Sequence, residues 1–212
     1  MQNYHISIGI MIIAFLIGAI SYFNLPDAIA IHWTNGEPDQ FTSKSLGIWI
    51  VPILMVISQV LFVFSVKKSN LKHVNPTILR ALSNGTLVFL LLLQAALLLF
   101  NLNASLNIEV ICAILAGLLM IVLGNYMPAV GINALYGVRT PWSMKNKDVW
   151  RLTQRFSSKI LVLAGFLIIL ASFVFPAYIL PIMLLLVLAA ALISVIASYY
   201  FYKRKEDERY DL

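Results

Sequence analysis

Long apolar runs, separated by short polar connections, dominate this chain from one end to the other. Most runs approach the 20 or so residues that a helix needs to cross a bilayer, and they do not alternate apolar and polar residues as barrel strands do. A helix also satisfies its own backbone hydrogen bonds in lipid. The pattern therefore predicts an all-α, polytopic membrane protein with six transmembrane helices, at 6–23, 46–66, 78–100, 108–128, 160–175 and 177–202.

Composition supports the same class of protein. Of the 212 residues, 61% are hydrophobic and 11% are charged, whereas about 25% are charged in a typical soluble domain. Such a chain has too little polar surface to cover a soluble globule, which excludes a soluble enzyme and a disordered protein as first interpretations. The connections are short and contain no low-complexity linker, so residues 1–212 are predicted to form a single membrane domain.

The positions of the basic residues predict the orientation of the helices. All but one of the 15 lysines and arginines lie in or beside the second and fourth connections or in the C-terminal tail, and the exception is Lys44. Because Lys and Arg accumulate on the cytoplasmic side, these connections and both termini are expected in the cytoplasm. The net charge of +6 then reflects topology, and no direct contact with nucleic acid is predicted.

The segment Ala28-Ile29-Ala30 is similar to a signal-peptidase site. The apolar run before it is longer than a usual signal core, however, and no Lys or Arg precedes that run. We therefore expect the first span to be retained rather than cleaved.

Residues 24–45 form the longest predicted extracellular loop. Apolar residues from 29 to 33 alternate as on a short strand, and Asn35-Gly36 is a strong tight-turn signal. We expect a small ordered structure over the outer helix ends, which either serves only to order the loop or also contacts an external partner. The acidic residues and histidine match no metal-ligand spacing, so no metal is predicted. The candidate contact residues are His32, Trp33, Asn35, Gly36, Glu37 and Asp39.

Residues 129–159 form the main predicted cytoplasmic loop. Pro141 biases Thr140 towards an extended conformation, which predicts a turn rather than a helix. Asn146 is then expected to cap an amphipathic helix on the inner leaflet, in contact with anionic membrane lipids or with a cytoplasmic protein. The apolar residues at helical spacing are Val149, Leu152 and Phe156.

The predicted spans contain few polar residues, and the notable amides are Gln59, Asn84, Gln94 and Asn125. We expect these amides to form interhelical hydrogen bonds, and all but Gln94 to meet in the cytoplasmic half. No acid or histidine lies near mid-membrane, where a proton-coupled transporter usually has one. No HExxH, Gly-x-Ser-x-Gly or phosphate-loop motif occurs. We therefore predict no enzymatic activity and no cofactor.

Two sets of motifs, when they occur together, are specific enough to indicate a protein family. The first runs from Leu25-Pro26 through Ile31-His32-Trp33 and Asn35-Gly36-Glu37-Pro38-Asp39 to Ser43-Lys44. The second runs from Gly124-Asn125-Tyr126-Met127-Pro128 through Gly137-Val138-Arg139-Thr140-Pro141-Trp142 to Trp150, Arg155 and Phe156. In their order and in the six-span layout they resemble the SdpI immunity protein family over nearly the whole chain. The chain departs from the family pattern where Ser143 replaces an expected threonine and Gln154 a common histidine.

The resemblance implies a bacterial plasma-membrane protein that protects its cell from a secreted peptide toxin. It also implies a receptor role, in which contact with toxin leads to sequestration of a cytoplasmic repressor at the membrane. The outer candidates would contact toxin, and the inner residues would carry the signal: Arg139, Thr140, Pro141, Trp142, Trp150 and Arg155. The alternatives are a small transporter or exporter of an amphiphilic peptide, and a structural subunit of a larger membrane complex.

Overall fold

The structure is a computed structural model that describes residues 4–34, 36–68, 75–133 and 135–210. Within these residues six α-helices and one β-hairpin follow each other along the chain. The helices are α1 His5–Ser21, α2 Lys44–Lys68, α3 Pro76–Asn101, α4 Ile108–Tyr126, α5 Lys147–Val174 and α6 Ile179–Tyr210. The hairpin strands are β1 Ala28–Thr34 and β2 Glu37–Ser43, and 3-10 turns lie at Met127–Ala129, Ser143–Lys145 and Pro176–Tyr178.

The predicted multi-pass membrane architecture is confirmed. Among the described residues, five helices, α2 to α6, are long and apolar enough to cross a membrane. The first helix is shorter than predicted, with 17 residues, and therefore lies at the lower limit of about 17 residues for a span. It ends at Ser21 because the chain then turns and buries Leu25 beneath the hairpin. The side of the membrane on which each terminus lies stays a prediction.

The structure corrects the predicted amphipathic helix of the cytoplasmic loop. This segment is not a separate helix on a leaflet, because α5 continues without a break from Lys147 to Val174. Asn146 caps it as expected, its side chain accepting hydrogen bonds from the backbone of Asp148 and Val149. No proline or glycine interrupts residues 147–160, so nothing ends the helix there.

Close helix contact is greatest between α4 and α5, at Gly117 and Gly165. A Cβ atom on Gly117 would lie 2.7 Å from the carbonyl oxygen of Gly165, and one on Gly165 would lie 2.5 Å from that of Gly117. Ala113, one turn earlier, is fully buried. These small residues let two backbones approach each other, as in other membrane helix pairs.

Three of the four predicted amides form interhelical hydrogen bonds. Ser83 donates to Gln59 at 2.7 Å, and Gln94 donates to the carbonyl of Ala14 at 3.0 Å. Asn84 accepts from Ser7 of α1 at 2.7 Å. Asn125 differs, because its side chain is exposed near the end of α4. These bonds make α3 the helix that joins α1 and α2.

Two non-helical segments lie at opposite ends of the helix bundle. The hairpin covers one end, where α3 ends and α4 begins. The α4–α5 connection, residues 127–146, lies at the other end, where Val130 packs against Leu79 near the start of α3. We call these the hairpin end and the connection end of the bundle.

Candidate functional site

The hairpin confirms the predicted strand and turn. Its strands pair antiparallel, from Ala28 opposite Ser43 to Thr34 opposite Glu37, with irregular register between Ala30 and Trp33. Gly36 lies in the turn with a φ of 81°, a conformation that glycine adopts without the strain of a side chain. The other predicted turn residue, Asn35, lies outside the described residues.

Asn101, at the end of α3, holds the middle of the hairpin. Its Oδ1 accepts a hydrogen bond from the backbone N–H of Ala30 at 2.7 Å, and its Nδ2 donates to the carbonyl of the same residue at 3.1 Å. The amide is buried. Its two hydrogen bonds take the place of the backbone partners that a third strand would supply. Asn101 was not among the predicted site residues, although its position as the first polar residue after a long apolar run was a signal.

Both ends of the hairpin are also attached to helices. At the tip, the backbone N–H of Gly36 donates to Oε1 of the buried Glu109 carboxylate at 3.0 Å. At the base, Nζ of Lys44 donates to the carbonyl of Leu25 at 3.1 Å and lies 3.2 Å from the Asp27 carboxylate. A hairpin held at its tip, middle and base presents its outer face in one conformation.

The exposed face of the hairpin is polar with one large apolar side chain. Nδ1 of His32 lies 2.6 Å from Oδ1 of Asp39, and the hydroxyl of Thr34 donates to Oδ2 of the same carboxylate at 2.6 Å. Both hydrogen bonds lower the pKa of Asp39 from its ordinary value, and the bond from Thr34 has the larger effect. Phe41 is 58% exposed on β2. Phe41 was not among the predicted contact residues, although it is the single aromatic residue of that strand.

The outer candidates therefore fall into two groups. His32, Glu37 and Asp39 are exposed, together with Gly36. Trp33 is only 9% exposed, and its ring packs edge-on against Phe100 of α3 with centroids 5.1 Å apart. Trp33 thus supports the hairpin from below instead of facing a partner, because the irregular register turns it towards the helices.

Gln154 of α5 holds the α4–α5 connection in the same way that Asn101 holds the hairpin. Its Oε1 accepts from the backbone N–H of Val138 at 3.0 Å, and its Nε2 donates to the carbonyl of Val138 at 3.0 Å. Gly137 has a φ of 105°, and a Cβ atom there would lie 2.5 Å from Oε1 of Gln154. The glutamine found in place of a common histidine therefore has a structural partner in this chain.

Aromatic and hydroxyl side chains attach the rest of the connection. The indole of Trp150 donates to the carbonyl of Val130 at 2.8 Å, and that of Trp142 donates to the hydroxyl of Ser198 on α6 at 2.6 Å. The hydroxyl of Ser143 donates to the carbonyl of Val138 at 3.0 Å. The connection thus joins α5 to α6, and the serine retains the hydroxyl that the family pattern leads us to expect.

The inner candidates also divide by burial. Arg139, Pro141 and Arg155 are exposed. Thr140 and Trp150 are buried, and Trp142 is half-buried. The first three residues can contact another molecule, whereas the last three hold the connection to the helices.

Comparison with known proteins identifies the family. The chain is 40% identical over 184 residues to "Immunity protein SdpI" of Bacillus subtilis (strain 168), a match that covers 87% of this chain and 88% of that protein. This chain belongs to the SdpI family. The model of the SdpI/YfhL protein family matches residues 129–200, and that of a domain of unknown function, DUF1648, matches residues 9–56. No solved structure matches the chain.

Of the two matched ranges, one includes the hairpin and the other includes most of the α4–α5 connection. Residues 9–56 include the whole hairpin. Residues 129–200 begin in the connection and extend along α6 past Ser198, the residue that binds Trp142. In this member of the SdpI family, the segment matched by the SdpI/YfhL model therefore includes the side chains that join the connection to α5 and α6.

Proposed function

We propose that this chain is a non-enzymatic immunity protein of the bacterial plasma membrane, which protects its cell against a secreted peptide toxin. The observation that carries the proposal is the 40% identity to an immunity protein over 87% of the chain. The multi-pass architecture supports a site of action in the membrane.

In this proposal the exposed face of the hairpin is the toxin contact. His32, Glu37 and Asp39 offer hydrogen-bonding groups, and Phe41 offers an apolar contact beside them. Aromatic side chains contribute strongly to binding when a partner buries them. The attachments of the hairpin through Asn101 also reduce the conformational entropy that such a surface would lose on binding.

Survival under toxin challenge tests this function. The chain and its variants are expressed in a sensitive bacterium, their amounts in the membrane are matched, and the cells are exposed to a purified secreted killing-factor peptide. We expect protection by the intact chain and its loss in His32→Ala and Phe41→Ala. Phe175→Ala removes a ring of similar exposure, 54% against 58%, between α5 and α6, and is expected to protect normally.

Two results would contradict the assignment. An intact chain that reaches the membrane and gives no protection against killing-factor peptides contradicts immunity itself. Equal loss in Phe41→Ala and Phe175→Ala would mean that the hairpin has no special part in toxin contact.

We further propose that the connection end is a cytoplasmic docking face for a transcriptional repressor. The proposal rests on three exposed residues, Arg139, Pro141 and Arg155. A positively charged surface with a rigid turn suits an acidic protein partner. The bond of Trp142 to Ser198 couples this face to α6. Toxin must favour one arrangement of the helices for a signal to cross, since equal binding to two arrangements shifts neither.

Transcription of the operon that encodes this chain tests the second role. We expect toxin to raise the transcript in the wild type and to raise it less in Arg155→Gln. Arg80→Gln, which neutralises another exposed arginine at the start of α3, is the matched control. Equal induction in both variants at equal protein levels would refute the docking role and leave immunity untouched.

A further inference from the structure

A cavity of about 420 Å³ lies at the connection end, between α4, the α4–α5 connection, α5 and α6. Its volume falls within the roughly 300–1,000 Å³ of small-molecule sites. Val187 and Ala191 of α6 line it and are exposed, so the cavity opens along that helix. The walls are largely apolar and include Leu123, Leu161, Val187, Ala190, Ala191 and Val195.

Two polar groups distinguish this cavity from a simple packing gap. Ser157 lines it and is 1% exposed, and its hydroxyl finds no hydrogen-bond partner among the described residues. A buried hydroxyl without a partner is costly, so it indicates a site where a ligand supplies the acceptor. Arg139 also lines the cavity and is exposed, which places a permanent positive charge at its margin.

We propose that this cavity binds an anionic phospholipid of the surrounding membrane. An acyl chain would lie along the apolar walls, an ester carbonyl would accept the hydrogen bond of Ser157, and the phosphate would bind Arg139. Basic pockets between membrane helices bind anionic lipid headgroups in this way. The inference does not rest on toxin immunity.

The surroundings of the cavity favour the same ligand. Exposed lysines and arginines at the connection end attract anionic headgroups to this side of the protein; they are Lys145, Lys147, Arg151 and Lys159. A zwitterionic lipid such as phosphatidylcholine would bring a cationic choline close to Arg139 and these basic residues, which makes its binding less favourable. A water-soluble phosphate would leave the apolar walls uncovered.

Native mass spectrometry of the purified full-length protein tests the proposal. The protein is equilibrated in micelles with equimolar phosphatidylglycerol and phosphatidylcholine. We expect one retained phosphatidylglycerol, preferred about tenfold over phosphatidylcholine, because the cationic choline of the latter offsets the attraction of its phosphate to the basic residues. Soluble glycerol phosphate in excess is not expected to displace it, since it covers none of the apolar wall.

Filling variants test the position of the site. Ala191→Phe and Val187→Phe each place a ring in the cavity and are expected to abolish retention of both lipids. Ala19→Phe adds the same ring at an exposed position of α1 and is expected to retain lipid as the wild type does. Should Ala191→Phe fail to fold, Val187→Phe and the charge variant below decide the question.

Polar variants separate binding from structure. Arg139→Gln is expected to keep one lipid but lose the preference for phosphatidylglycerol, whereas Arg80→Gln keeps the preference. Ser157→Ala removes the unpartnered hydroxyl, so we expect an unchanged or higher Tm without lipid and a smaller rise in Tm on adding phosphatidylglycerol. A merely structural serine would lower the Tm and leave that rise unchanged.

Three results would overturn the proposal. The first is equal retention of the two lipids by the wild type. The second is wild-type retention in folded Ala191→Phe and Val187→Phe. The third is displacement of phosphatidylglycerol by soluble glycerol phosphate, which would indicate a free-phosphate site in place of a lipid site.

Discussion

The hairpin and the α4–α5 connection solve the same physical problem by different means. Each is a non-helical segment against apolar helix ends, where backbone N–H and C=O groups need partners. The hairpin pairs most of its backbone with itself, and Asn101 completes it. The described part of the connection contains no strand, so side chains such as Gln154 and Ser143 supply its partners.

This difference changes how motif residues should be interpreted in the two segments. In the hairpin, backbone pairing leaves His32, Glu37 and Asp39 exposed and available to a partner. Thr140 of the connection and Trp150 of α5, in contrast, are buried, and their side chains hold the connection to the helices. A motif residue is therefore more often exposed in the self-paired segment: four of the five described outer candidates are exposed, against three of the six inner candidates.

The largest expected loss of stability comes from replacing the two amide side chains that hold these segments, Asn101 and Gln154. Gln154→Leu leaves the backbone N–H of Val138 without a partner and its carbonyl with the hydroxyl of Ser143 alone. Asn101→Leu removes the side-chain partners of both backbone groups of Ala30. We expect a cost of about 2–4 kcal/mol for each substitution. Gln154→Leu should cost more, because the hairpin keeps its own ladder. Chemical denaturation in micelles gives the cost, and hydrogen exchange shows which segment opens.

Asn125→Leu is the control for both amides, since that side chain is exposed and its loss should cost less than about 0.5 kcal/mol. A larger loss of stability in Asn101→Leu than in Gln154→Leu would reverse the comparison between the segments.

The next effect concerns two glycines with positive φ. Gly36→Ala meets no atom within 4 Å and should cost only the backbone strain of about 1–2 kcal/mol. Gly137→Ala incurs the same strain and also displaces Gln154, so we expect about 2–4 kcal/mol in total. Thermal unfolding of both variants measures the difference, and equal costs would mean that Gln154 adjusts without losing its bonds to Val138.

A smaller effect is expected at the tip of the hairpin. Glu109→Gln keeps a side-chain oxygen for the N–H of Gly36 but removes the charge, so we expect a loss of roughly 0.5–1 kcal/mol. Glu109→Ala removes the acceptor and should cost about twice as much. In both variants, faster hydrogen exchange should be confined to the hairpin tip. An equal increase in the α4–α5 connection would mean that Glu109 does not act by holding the tip alone.

The smallest effect is a pH dependence confined to the hairpin. The pKa of Asp39 is lowered by hydrogen bonds from Thr34 and His32, so its stabilising contribution is present above the ordinary aspartate pKa of about 3.9 and is lost as pH falls through the lowered value. Residues 129–146 contain no Asp or Glu. Protection of the hairpin amides, taken relative to the intrinsic exchange rate at each pH, should therefore fall below about pH 4, while protection in the connection stays constant.

Asp39→Asn isolates this carboxylate from Glu37 and Glu109. The variant should show a smaller acid response in the hairpin than the wild type. Identical acid responses in the two proteins would assign the pH dependence to other carboxylates at the hairpin, which are Asp27, Glu37 and Glu109.

Much of the fold was predictable, and the failures have physical causes. Apolar runs located the helices, and Asn35-Gly36 located the hairpin turn. The separate amphipathic helix was wrong because hydrophobic spacing does not show where a helix stops, and no breaker follows Lys147. Trp33 was expected at a surface, but the irregular register that buries it depends on the helices beneath.

By itself, the sequence determined the class of protein, the places of the helices and the family motifs, because run length and turn chemistry act over a few neighbouring residues. Only the tertiary structure decided which polar residues hold the two segments and which face outward. Asn101 binds a residue 71 positions away, and Ser157 lines a cavity made by four separate parts of the chain. Such partners are chosen by the packing of helices, which no local pattern records.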